Sequence, residues 1–181
     1  TVASWQVVFA TPALFAVVVF IWSFLRLRES LVPERRLALD VPTIVRSARQ
    51  VLGNRTFVIY TVVTTLIFSA FISYVGSSER IVSEIFGRPD LFVLIFSATG
   101  VTMALFTFMN AKLIRRIGAK RAVRGLLFIY LAMTTLLLIL TLVFGAQLSI
   151  FVFFVIVALL QGLYIAIEPS SGALALEPLG E

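Results

Sequence analysis

The stretch that decides the fold is Asn110-Ala-Lys-Leu-Ile-Arg-Arg-Ile-Gly-Ala-Lys-Arg-Ala-Val-Arg124, a short basic hinge between two long hydrophobic runs. Residues 91–111 before it and 125–167 after it carry no charged side chain. Six of the fifteen Lys and Arg residues sit in the hinge: Lys112, Arg115, Arg116, Lys120, Arg121 and Arg124. Lys and Arg resist translocation, so a basic cluster between apolar spans fixes the side of a membrane on which the loop lies.

Composition agrees. The 181 residues are 60% hydrophobic and only 13% charged, with a mean hydropathy of +1.07. Soluble domains carry roughly 25% charged residues, and so short a chain cannot hide this much apolar surface from water. Lipid is the expected solvent. The net charge of +6 is confined to connections between spans, which points to membrane topology rather than to nucleic acid. The absence of Cys and His excludes disulfides, thiol nucleophiles, His-based metal sites and His proton relays. The chain starts at Thr1 with neither a basic n-region nor a small-residue cleavage site, so no signal peptide is expected.

Five spans are expected. The first runs from about Val7 to Leu25, with Trp5 and Trp22 near its ends as interfacial aromatics and Pro12 inside. A polar connection, 26–55, follows with seven Arg residues. Within it Asp40 precedes Val41-Pro42, a carboxylate cap with Pro in the first turn. Val41, Ile44, Val45, Ala48, Val51 and Leu52 then recur at helical spacing until Gly53. This amphipathic helix has two possible placements: flat on an anionic membrane face, or as a linker packed under the bundle.

The second span is expected over 57–77, followed by a short mixed-charge loop, 78–90, whose apolar face could extend the helix. The third span covers 91 to about 111. The uncharged run 125–167 is too long for one crossing. Gly145-Ala-Gln147 is its natural turn, giving a fourth span over about 125–144 and a fifth over about 148–167, ended by Glu168-Pro169-Ser-Ser-Gly172. Alternating sides place thirteen Lys and Arg on one face and two on the other, so the face with thirteen is cytoplasmic. Five crossings then start outside the cell, and a fragment of a longer protein is expected.

In order and spacing, four stretches resemble the major facilitator superfamily of secondary transporters, specifically its drug:proton antiporters of the bicyclomycin/chloramphenicol resistance type. Ser4-Trp-Gln-Val-Val-Phe9 with Leu25-Arg-Leu-Arg-Glu-Ser-Leu31 is similar to that family's sixth helix and its exit. Tyr74-Val-Gly-Ser-Ser78 with Glu84-Ile-Phe-Gly87 looks like the outer end of the seventh. Asn110 to Arg121 resembles the loop between helices eight and nine, a relaxed copy of the Gly-x-x-x-Asp-Arg-x-Gly-Arg-Arg signature. Arg116, Gly118, Lys120 and Arg121 fit it, whereas Ala111 stands at the first Gly position and Arg115 at the Asp position. Pro169 to Pro178 resembles the segment joining helices ten and eleven.

The resemblance implies an all-α polytopic membrane bundle covering helices six to ten. Residues 1–25 would be helix six, 26–55 the cytoplasmic central connection, and 56–181 part of the C-terminal half. It implies alternating access against a missing N-terminal half, exchanging a lipophilic small molecule for protons, with no cofactor or metal and no enzymatic activity. Helices seven and ten would line the cavity, making Tyr60, Phe68, Tyr74, Gln161 and Tyr164 its candidate residues. Aromatic faces suit lipophilic and cationic drugs, although with 17 Phe in the chain many span aromatics must face lipid or pack. A buried amide such as Gln161 is costly without a partner. Glu168, the acid beside a span end without an adjacent base, is the candidate for proton coupling, with a solvated helix end as its alternative. The hinge cations are expected to set topology and touch membrane phospholipids. Gly76, Gly100, Gly125 and Gly162 are expected to permit close helix approach. Another facilitator-type carrier of sugars or organic acids, or a membrane scaffold, are the competing readings.

Overall fold

A computed structural model of the chain describes residues 5–27 and 40–179. Contacts divide it into two units, Thr1–Val45 and Arg46–Glu181. In the first, α1 spans Trp5–Arg26 and carries Pro12 inside. Proline removes one backbone donor, yet a chain in hydrocarbon has no alternative to helical bonding, so the helix runs on. Thr11 Oγ1 donates to Val7 O at 2.9 Å in the same turn. Much of the connection expected after this span, 28–39, lies outside the described residues, as does most of the helix-six exit. The amphipathic segment is a helix as expected: α2, Val41–Gly53, has no buried residue.

The second unit holds four long helices. Asn54 caps α3, Arg55–Arg80, its side-chain oxygen accepting from the Thr56 and Phe57 amides at 3.0 and 3.2 Å. A π-helical turn, Ile81–Ile85, and a 3-10 turn, Pro89–Leu91, lead into α4, Phe92–Ile117. After α5, Ala119–Phe144, a 3-10 turn over Gly145–Gln147 falls where the reversal was expected. The last helix, α6, runs Ile150–Leu176 and passes into a final turn, Glu177–Leu179. With α1, five helices are long and apolar enough to cross a membrane. The all-α bundle is as expected.

Most of 78–90 is helical, as its apolar face allowed: α3 runs to Arg80 and passes into the π-helical turn Ile81–Ile85, with Val82 fully buried. Two boundaries differ. The basic stretch 112–124 is two helix ends meeting at Gly118, whose φ of 81° reverses the chain at a cost a side-chain-bearing residue would feel. Charge there marks the end of the hydrocarbon rather than the end of the helix, since long basic side chains reach out from a helix that continues past the interface. Finally, α6 does not stop at Glu168-Pro169. Pro169 deprives the Ile165 carbonyl of its donor, but the next carbonyl, Ala166 O, accepts from Asn110 Nδ2 of α4 at 2.8 Å, and the helix continues to Leu176.

Helix α6 is apolar on all sides, a pattern that calls for burial all round. It packs against α3, α4 and α5 and supplies most of the core, including Leu163, Ala166, Ile167 and Leu174. The helices alternate in direction around it. At the basic end Lys120 Nζ meets Glu177 Oε2 at 3.1 Å; at the far end Phe86 packs on Phe153 and Phe154 at ring distances of 5.5 and 5.9 Å. Charge is distributed unevenly between these ends. Both far-end cations are paired, Arg80 with Glu84 at 3.1 Å and Arg88 with Asp90 at 2.9 Å. Among the described cations of the basic end, only Lys120 has a carboxylate partner.

Candidate functional site: the α3–α6 face and the basic rim

Gln161, Tyr164 and Glu168 are three and then four residues apart on α6, which places them on one face. The face is turned toward α3. The Tyr164 ring lies parallel to Phe71 with centroids 4.6 Å apart and an interplanar angle of 16°, and Phe68 is 6.4 Å away. Such offset stacking adds about 0.5–1.5 kcal/mol beyond the area buried. Gln161 is only 6% exposed, yet its amide makes no hydrogen bond to a described residue. Further down the same face, the Ser171 hydroxyl is buried without a hydrogen-bond partner among the described residues.

Glu168, a turn past Tyr164, is half-buried and forms no ion pair with a described residue. It lies two turns inside the end of α6 rather than beside it. Tyr60 sits about two turns before Phe68 on α3. It packs against the core and lines a shallow groove of about 270 Å³ with Thr61, Thr64, Thr65 and Gly172. Of the expected residues, Phe68 and Tyr164 meet at the α3–α6 seam, Tyr60 packs against the same core from α3, and Gln161 and Glu168 share the Tyr164 face of α6. Tyr74 does not join them. Its hydroxyl is buried toward Thr99 of α4, without the geometry of a hydrogen bond.

The residues matching the signature loop form a rim. Gly118 makes the turn, Lys120 is tied to Glu177, and Arg116 borders a groove with Lys112. Arg121 is exposed and unpaired among the described residues.

Two relationships were beyond the sequence reading. Asn110 Nδ2 reaches both Ala166 O and Ser170 Oγ, the latter at 3.3 Å, so the residue that opens the hinge also clamps α4 onto α6 beside Pro169. A lone Asn ending an apolar span was the available signal. The second is the Lys120–Glu177 pair, which links residues too far apart in sequence for any spacing rule. Of the four glycines expected at close approaches, Gly162 lies against Phe106, whereas a Cβ on Gly76, Gly100 or Gly125 would meet nothing within 4 Å. Those three face open space because α3, α4 and α5 bury few side chains outside their contacts with α6.

Comparison with known proteins yields a consistent picture. The family model for the Major Facilitator Superfamily matches residues 1–178. The chain is also similar to the uncharacterized MFS-type transporter YdgK of Bacillus subtilis (strain 168), at 23% identity over 162 residues. That match covers 87% of this chain and 40% of the relative, so the chain spans about two fifths of that protein's length. No solved structure matches. A bundle of apolar antiparallel helices, a basic loop turning on Gly118 and a family match over nearly every residue lead to one conclusion: the chain belongs to the Major Facilitator Superfamily.

Proposed function

We propose that this chain forms helices six to ten of a secondary active transporter that exports drugs or other lipophilic small molecules in exchange for protons. In this reading it is an antiporter of the bicyclomycin/chloramphenicol resistance type in a bacterial cytoplasmic membrane. Residues 1–25 form helix six, 26–55 the cytoplasmic connection between halves, and 56–181 helices seven to ten and the start of the next connection. The cavity closes against an N-terminal half of the same transporter, and the two halves rock about it.

One observation carries the proposal. The otherwise apolar α6 presents Gln161, Tyr164 and Glu168 on a single face, with Gln161 only 6% exposed and its amide without a hydrogen bond to a described residue. A span gains nothing in stability from an unpartnered amide and a half-buried carboxylate; such groups in a membrane helix serve a ligand or ion path. Midplane sites between repeats are where transporters of this build hold substrates. The exposed ring of Phe68, beside Tyr164, supplies flat apolar area, Gln161 a hydrogen-bonding group and Glu168 an exchangeable proton.

The test uses the full natural polypeptide in everted membrane vesicles, following collapse of the proton gradient as lipophilic drugs are added. The proposal expects a drug-dependent collapse that Gln161→Ala weakens. A collapse untouched by Gln161→Ala would keep antiport and remove Gln161 from the cavity. No response to any compound, in vesicles that hold a gradient and contain the protein, would overturn drug antiport in favour of another carrier class or a scaffold.

A further inference from the structure

A groove of about 380 Å³ opens at the basic end of the bundle, lined mainly by α4 with Leu126 of α5 and Ala166 of α6. Its walls are apolar, formed by Phe106, Met109 and Leu113 of α4 and Leu126 of α5, while Lys112 and Arg116 stand at one end. The two cations are four residues apart and so share one face of α4. Both are exposed, and neither meets a carboxylate among the described residues. The one described acid at this end that forms an ion pair, Glu177, is taken by Lys120.

An apolar trough ending in two uncompensated cations is complementary to a molecule with an anionic head and a hydrocarbon tail. The groove runs along two helices apolar and long enough to span a bilayer, with its cations where the hydrocarbon gives way to headgroups. Met109, at 64% exposure, leaves the trough open from the side. We propose that this groove is a binding site for an anionic phospholipid, its phosphate held by Lys112 and Arg116 and an acyl chain lying along Phe106, Met109 and Leu113. The site is separate from the α3–α6 face and does not depend on the transport reading.

Asn110, which clamps α4 to α6 beside Pro169, lines the same groove.

Native mass spectrometry of the full natural polypeptide, delipidated in detergent, tests the site with phosphatidylglycerol, phosphatidylcholine and glycerol 3-phosphate as probes. Phosphatidylglycerol is expected to bind in preference to phosphatidylcholine. Lys112→Gln/Arg116→Gln should weaken it by roughly an order of magnitude, since each basic residue near an anionic headgroup contributes appreciably. Arg121→Gln/Arg124→Gln removes the same charge outside the groove and should leave binding unchanged. Met109→Trp fills the trough without touching a charge and should also weaken the lipid. Equal losses from both charge pairs would reduce the effect to general attraction and overturn the site. Equal retention of phosphatidylcholine, phosphatidylglycerol binding unaffected by Met109→Trp, or glycerol 3-phosphate binding as tightly as phosphatidylglycerol, would overturn the lipid as its occupant.

Discussion

Gly162 of α6 and Phe106 of α4 meet so closely that a Cβ on the glycine would lie 2.6 Å from Phe106 Cδ2 and 2.7 Å from its Cγ. The conflict involves the root of the ring, so a small tilt cannot relieve it. Gly162→Ala is therefore expected to destabilise the bundle by about 1–3 kcal/mol, the usual cost of overpacking. Equilibrium unfolding in mixed micelles measures this. Adding Phe106→Leu should recover part of the loss, because the two changes share one contact. Full additivity of the pair would mean that the glycine is needed for another reason.

The Tyr164–Phe71 stack makes a second prediction for the same assay. A double-mutant cycle with Tyr164→Leu and Phe71→Leu should give a coupling of about 0.5–1.5 kcal/mol. Tyr164→Phe keeps the ring and should leave stability nearly unchanged, because the Tyr164 hydroxyl has no hydrogen bond to a described residue. A coupling near zero would show that α3 and α6 are held by other contacts.

How much of this was legible in the sequence depended on the kind of signal. The turn at Gly145–Gln147 could be read because a membrane span has a length limit, and an uncharged run of 43 residues must fold back once. The helix ends around Gly118 could not be placed as well. Charge reports where hydrocarbon stops, whereas α4 and α5 continue beyond that level until a residue with positive φ breaks them. Pro169 and Glu168 looked like a helix end by soluble-protein rules, but backbone in an apolar bundle has nowhere else to bond. Helical period alone could group Gln161, Tyr164 and Glu168 on one face; which neighbour that face meets is a tertiary fact. Asn110 shows the limit most clearly, since its partner carbonyl on Ala166 lies 56 residues away.

The start of α2 predicts a pH effect that can be measured on a peptide. The Asp40 carboxyl is held below its ordinary value chiefly by a hydrogen bond from the Thr43 side chain, aided by the Thr43 amide. A depressed carboxylate stabilises the helix start at pH values above its unfolded pKa, and the contribution is lost as pH falls through the lower, helical value. A peptide of residues 40–53 bound to anionic vesicles should therefore lose helicity by circular dichroism on acidification toward the carboxylate range. Asp40→Ala should lower helicity at neutral pH and abolish the acid-dependent loss. An identical acid profile in the variant would assign the titration elsewhere.

The last prediction separates a coupling role for Glu168 from a structural one. Glu168→Gln preserves size and hydrogen-bonding capacity while removing the exchangeable proton. If Glu168 carries protons, drug-driven collapse of the gradient is lost, yet drug binding and exchange of labelled for unlabelled drug across the membrane continue, because neither needs net proton movement. If the carboxylate merely solvates a helix, all three activities survive together. If it contacts the drug directly, binding and exchange fall along with coupling. Because Glu168 is half-buried one turn from Tyr164 and unpaired among the described residues, replacement by Gln leaves no buried countercharge behind. Glu168→Gln is therefore expected to fold normally, and loss of coupling with exchange retained can be assigned to the proton itself.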